Sequence, residues 1–224
     1  MSEMFHSLWQ NGIIQTGIWE TIYMTFISTL VSYAIGLPMG IMLSVTDKDG
    51  ICPILWLNRI VGFIVNIFRS IPFIILMVAF LPVAKLIVGT SLGNRAMVVV
   101  LIIAAAPYVA RMVESSIKEV DKGIIEAAQA MGTSTPKIIL KVLIPEAKPS
   151  LIIGSVISMV TILSYSAMAG SIGGGGLGKI AISYGYQRYN DDITWFCVVI
   201  TIIIVQIIQE FGGFLAHKTD KRIV

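Results

Sequence analysis

Of the 224 residues, 56% are hydrophobic and only 13% charged, with a mean hydropathy of +0.86. Soluble domains carry about a quarter charged residues, so lipid is the indicated solvent. The net charge of +3 is too small to suggest nucleic acid as a partner, and the two cysteines are too few for a disulfide framework or a metal knuckle.

No Lys or Arg precedes Lys48. A secretory signal needs a basic segment ahead of its apolar run, so the first apolar stretch is expected to remain in the mature protein. Just before it, Phe5, Leu8, Trp9, Gly12 and Ile13 follow a helical stripe. That stripe reads either as an interfacial helix on the outer surface or as a frayed tail. Windows free of charge then fall at residues 21–46, 70–84, 96–110, 149–178 and 193–209. A span needs roughly 20 mostly apolar residues, and the shorter windows reach that length when flanking Lys or Arg snorkel to the interface. The fold class expected is all-α: a polytopic membrane protein, one domain over residues 1–224. Its transmembrane helices number about five, near residues 18–46, 60–84, 94–118, 149–170 and 193–212, with a helical loop at 119–148.

Basic residues sort the ends of these spans. With the N-terminus outside, the inner segments hold eleven: Lys48, Arg59, Arg111, Lys118, Lys122, Lys137, Lys141, Lys148, Lys218, Lys221 and Arg222. The outer segments hold four, Lys85, Arg95, Lys179 and Arg188, with Arg69 left inside a helix. The N-terminus is therefore expected outside and the C-terminus inside.

Ion-coupled carriers usually place Asp, Glu or His within the membrane. Here all thirteen acidic residues fall at span edges or in loops, and His6 and His217 lie near opposite ends. A sodium carrier built on backbone carbonyls escapes this test. No cluster has metal-ligand spacing, no Ser has an evident His partner, and no catalytic residue is assigned. The run Gly173-Gly174-Gly175-Gly176-Leu177-Gly178-Lys179 satisfies the GxGxxG pattern and most of GxxxxGK. Ile180, however, stands where a phosphate loop needs Ser or Thr, and an apolar helix precedes the run in place of a strand. It reads as a flexible turn at the outer mouth, and the chain is not expected to hold its own ATP.

The loop after the third span carries the most information. Glu114 and Lys118 have the favourable i,i+4 order, Asp121 can cap a short helix running to Met131, and Gly132 suits its stop. Thr135 and Pro136 begin another helix, while Pro145 and Pro149 punctuate the return to the membrane. The pattern predicts two short helices across the cytoplasmic face. In the first, Ala127, Ala128 and Ala130 permit close approach to a partner surface, with Ile124, Ile125 and Met131 as apolar anchors. The same residues also make a solvated connector of high helix propensity.

The spacing of Glu126-Ala127-Ala128, Gly132 and Ile144-Pro145 resembles the EAA loop of permeases in binding-protein-dependent ABC importers, the type I permease fold. Residues 68–76, 106–114 and 165–170, with Val88-Gly89-Thr90-Ser91 and the glycine run, are similar to the methionine-importer branch. The resemblance covers nearly the whole chain. It implies a homodimer in the bacterial cytoplasmic membrane, resting on two cytoplasmic ATP-binding subunits that hold ATP and Mg, and served by an extracytoplasmic substrate-binding protein. This chain, without a cofactor or metal of its own, would carry methionine (L and/or D) by alternating access. Glu126, Ala127, Ala128, Met131, Gly132 and Pro145 would form the ATPase-coupling loop. Another amino acid or an osmolyte, or a sodium-coupled carrier, are the rival readings. For the translocation pathway the candidates are Arg69, Ser164, Tyr165 and Met168. Arg69 either lines the path or anchors at the interface; the other three either gate or pack.

The orientation is testable with the two native thiols. Cys52 should be cytoplasmic and Cys197 shielded within the last span, so impermeant thiol reagents added to intact cells should label neither. Rapid labelling of Cys52 from outside would reverse the topology.

Overall fold

A computed structural model describes residues 3–220; Lys221 and Arg222, counted above among the inner basic residues, lie outside the described residues. In chain order the helices are α1 (Glu3–Gln10), α2 (Ile13–Val45), α3 (Leu55–Ser70), α4 (Phe73–Val88), α5 (Asn94–Lys118), α6 (Lys122–Ala130), α7 (Thr135–Ile138), α8 (Ile144–Gly170), α9 (Gly176–Ile180) and α10 (Asp191–Thr219). Wider π-type turns, Ile139–Leu143 and Ala181–Tyr186, follow α7 and α9. There is no strand among the described residues. Among the described residues, four helical stretches are long and apolar enough to cross a membrane, and α3 with α4 makes a fifth if the pair counts as one span.

The second window is therefore not one continuous helix. It breaks at Ser70–Pro72, where Pro72 adopts φ −54° and ψ 136°. Proline disfavours helical backbone at the residue before it, so α3 stops at Ser70, Ile71 lies outside it and Pro72 caps α4. The opposite happens at Pro145. The expected second short helix and the fourth span join in one stretch, Thr135–Gly170. Proline lacks an N–H and crowds the preceding turn. Here the turn just before it is widened, with the Ile144 N–H reaching back five residues to the Ile139 carbonyl, and the helix passes through. Pro38, Pro82, Pro107 and Pro149 also lie inside helices.

The chain forms two compact units. One comprises residues 1–31, 71–105 and 159–208; the other comprises residues 32–70, 106–158 and 209–224. In the first, Met24, Phe73, Met77, Met97, Leu101 and Ala169 make one core. A second core joins Phe5, Leu8 and Ile14 to Leu177, Ile180, Ile193 and Cys197. The N-terminal stripe is thus a packed helix and not a frayed tail: the Phe5 ring meets Phe196 edge-on with centroids 5.0 Å apart.

In the second unit, α2 and α5 approach closely. A Cβ on Gly36 would lie 2.6 Å from Val109 Cγ1, and one on Gly40 would lie 2.6 Å from Val113 Cβ. Lipid tails are as apolar as leucine, so helices in membranes hold together by such close packing rather than by escape from water. Below this contact, Val45, Val113, Ile117, Val120, Ala128, Ile138 and Leu143 form one buried cluster. Gly40→Leu should therefore destabilise the protein by about 1–3 kcal/mol, as overpacked cores do. Gly213→Ala, where an added Cβ meets nothing within 4 Å, should not. Thermal denaturation of the two variants in detergent separates them.

Candidate coupling and pathway sites

Helix α6 is short but closed at both ends. At its start Asp121 Oδ1 accepts the Gly123 N–H at 2.7 Å. At its end Gly132 takes φ 71°, Gly132 N–H donates to the Gln129 carbonyl at 2.9 Å, and Thr133 N–H donates to Ala128 at 3.2 Å. This double bond pattern around a left-handed glycine satisfies carbonyls that a nine-residue helix would otherwise leave open. The alanines divide by face. Ala128 is buried and belongs to the cluster with Val45, Ile117, Ile138 and Leu143. Glu126, Ala127, Ala130, Met131 and Gly132 are exposed, Met131 at 78%. Ala128 therefore draws α6 onto its own chain and does not offer a partner the close approach expected of it. Pro145 is exposed, directly after the widened turn.

Beside α6 stands a set of charges. Glu114 is 8% exposed, and each carboxylate oxygen has a cation: Arg111 Nη1 at 2.5 Å on Oε2 and Lys118 Nζ at 2.8 Å on Oε1. Lys118 also meets Asp47 Oδ2 at 2.6 Å, and Arg111 Nη2 donates to Asn66 Oδ1 at 2.8 Å. A carboxylate this buried is costly unless paired and hydrogen-bonded, and here it is both. The Lys118 hydrogen bond, chief among several causes, holds the Asp47 carboxyl below the usual carboxylate range. That contribution to stability is complete above the ordinary carboxylate pKa and fades as pH falls through the lowered value. A cavity of about 400 Å³ lies alongside, lined among others by Asp47, Gly50, Ile51, Lys118, Ile125 and Glu126.

The glycine run is not a flexible turn. Gly174, Gly175, Gly176 and Leu177 are buried, and Gly173 and Gly176 take φ 113° and 86°. Successive backbone N–H groups find side chains from α2 and α5: Gly175 donates to Asn94 Oδ1 at 2.7 Å, Gly176 to Glu20 Oε2 at 2.7 Å and Leu177 to Thr21 Oγ1 at 2.8 Å. The amides that a phosphate would need are already occupied by the chain's own oxygens. Sequence reading missed Glu20 and Asn94 in this role because their partners lie far along the chain.

Of the pathway candidates, Ser164 and Met168 are both exposed on α8, one turn apart. Ser164 Oγ bonds back to the Val160 carbonyl at 3.2 Å. Tyr165 is half-buried and stacks on Phe73 with ring centroids 4.2 Å apart. Arg69 is exposed in the last turn of α3 and belongs to the second unit, apart from the other three in the first.

Residues 36–221 match the family model of the binding-protein-dependent transport system inner membrane component. The chain belongs to this family. It is a multi-pass protein of the bacterial inner membrane, and among the described residues no group of His, Cys, Asp and Glu is arranged to hold a metal. It is 50% identical over 212 residues to the probable D-methionine transport system permease protein MetI of Vibrio cholerae, covering 95% of this chain and 94% of that one. It is 44% identical over 223 residues to the methionine import system permease protein MetP of Bacillus subtilis, covering 98% and 100%. A solved structure of the MetNI methionine ABC transporter in inward-facing conformations superposes with a TM-score of 0.94 at 44% identity, over 99% of this chain and 100% of that chain. An amino-acid ABC transporter at 18% identity shares the fold, with a TM-score of 0.76.

The Glu20 cap has a measurable consequence. Glu20→Ala removes the acceptor of the Gly176 N–H, a loss of about 1–3 kcal/mol for a buried donor. Amides in residues 173–180 should then exchange faster with deuterium, whereas Glu20→Gln, which keeps an acceptor oxygen, should change them less.

Proposed function

We propose that this chain is the permease subunit of an ATP-driven methionine importer, working as a homodimer with two ATPase subunits and an extracytoplasmic binding protein. The observation that carries this reading is near full-length identity of 44–50% to methionine permeases, together with the fold match to a methionine ABC transporter. Physical reasoning agrees on the dimer. About five helices scarcely enclose a solute path, whereas a two-fold pair doubles the wall.

The finer assignments rest on this chain's own residues. The eleven-to-four basic bias favours an outer N-terminus and an inner C-terminus. The coupling surface is assigned to Glu126, Ala127, Met131 and Gly132, supported by their exposure on a helix rigidly capped at both ends. Ala128 fixes that helix from behind, and exposed Pro145, in the first turn of α8, is assigned to the same surface. Ser164 and Met168 are proposed to line the path, since both are exposed and one turn apart. Tyr165 orients them through its stack on Phe73. Arg69 is assigned to the path from its exposure beside the break before Pro72.

The test is reconstitution of the full complex in proteoliposomes. Methionine uptake should require ATP and the partner ATPase and should survive collapse of proton and sodium gradients; gradient-driven uptake by this chain alone would overturn the reading. Ala127→Arg sets a bulky cation on the exposed face. Gly132→Val forces a β-branched residue to φ 71°, a strain on the order of 1–2 kcal/mol. Both variants should insert and dimerise, yet lose transport by losing or uncoupling the ATPase. Normal uptake by both would reduce the loop to a connector.

A further inference from the structure

Helix α6 has two kinds of support within its unit. On one side Ala128 packs into the apolar cluster with Val45, Ile117, Ile138 and Leu143. On the flank facing the loop after α2, a cavity of about 400 Å³ is lined by Lys122, Glu126 and Gln129 from α6 and by Asp49 and Gly50 from the loop, while Ile125 and Ile51 pack against the shared cluster beneath it. The polar connection along that flank includes the Lys118–Asp47 pair at 2.6 Å, on a lysine three residues before the Asp121 cap. The pair does not stand alone. Lys118 shares Glu114 with Arg111, and Arg111 reaches across to α3 through Asn66 Oδ1 at 2.8 Å and the Gly62 carbonyl at 3.4 Å. Asn66 stands one helical turn before Arg69, in the last turns of α3.

We propose that Asp47, Lys118, Glu114, Arg111 and Asn66 form a charged linkage that carries displacement of α6 to the end of α3 that bears Arg69. The inference rests on α6 being the coupling helix of an ATP-driven importer. The reason to assign transmission to these side chains is mechanical as well as electrostatic. Short charge-assisted bonds on a buried carboxylate are stiff, directional contacts, and this set begins three residues before the Asp121 cap of α6. Both Glu114 oxygens are engaged, so a shift of Lys118 is felt at Arg111. These are positioning residues, touching neither ATP nor solute.

The experiment uses the full complex with its ATPase and binding protein in proteoliposomes, and reads ATP hydrolysed per methionine imported. Lys118→Met cuts the link while leaving Glu114 paired with Arg111; Asp47→Asn weakens it at the loop and leaves Lys118 on Glu114. Both should keep the partner ATPase bound and hydrolysing while the ATP-to-methionine ratio rises about threefold or more, in the range that coupling residues command. Lys118→Arg, which preserves both ion pairs, should restore the wild-type ratio. A purely structural brace would lower thermal stability and leave the ratio unchanged. An unchanged ratio in Lys118→Met and Asp47→Asn, or loss of the ATPase subunit in both, overturns the linkage. Absence of ATP-dependent methionine import in the wild-type complex instead overturns the functional reading beneath it.

Discussion

Helices in lipid gain little from hiding apolar side chains, so everything in the second unit depends on how closely α2 can lie against α5. Gly36 and Gly40 provide that approach, with Val109 and Val113 filling the space where their side chains would be. The contact fixes where α5 ends, and at that end stand Glu114 and Lys118. It also brings Val45, the last residue of α2, into one cluster with Ala128 of α6. Backbone proximity toward the C-terminal ends of α2 and α5 thus bears on the position of the short helix that follows.

Helix α6 itself has a fastened side and a presented side. Burial of Ala128, the Asp121 cap and the two backbone hydrogen bonds around Gly132 hold its geometry without help from another chain. Ala127, Ala130 and Met131, with Ile124 and Leu140 nearby, remain uncovered. An exposed apolar face on a preorganised helix loses little conformational freedom when covered. This economy suits a surface on which a separate subunit would push and pull.

Local chemistry was legible in the sequence, and distant chemistry was not. The Asp121 cap, the left-handed Gly132 and the Glu114–Lys118 pair all follow from spacing within one or two turns, and the structure contains each of them. Two prolines had opposite outcomes. Pro72 breaks a helix inside an apolar window, while Pro145 is carried through by a widened turn. Whether a proline ends a helix depends on what can satisfy the neighbouring carbonyls, which composition alone does not reveal. The glycine run looked like slack chain because glycine suits both loose turns and tight crossings. Only the burial of Gly174 to Leu177 and their side-chain acceptors distinguish the two. Asp47 and Asn66 were invisible as partners of Lys118 and Arg111, being 71 and 45 residues away. The functional family was the exception, since its signature lies in one contiguous loop.

The Glu20–Gly176 bond joins residues 156 positions apart, and this bears on how the protein is made. Chains emerge from the ribosome at about 5–20 residues per second, N-terminal part first. Glu20 therefore enters the bilayer region with α2 many seconds before its partner amide exists, and Asn94 follows with α5, also early. The glycine segment can settle only once both are in place, so the first unit closes late in biogenesis. Until then the Glu20 carboxylate near the start of α2 stands at the membrane without the amide it accepts in the finished fold.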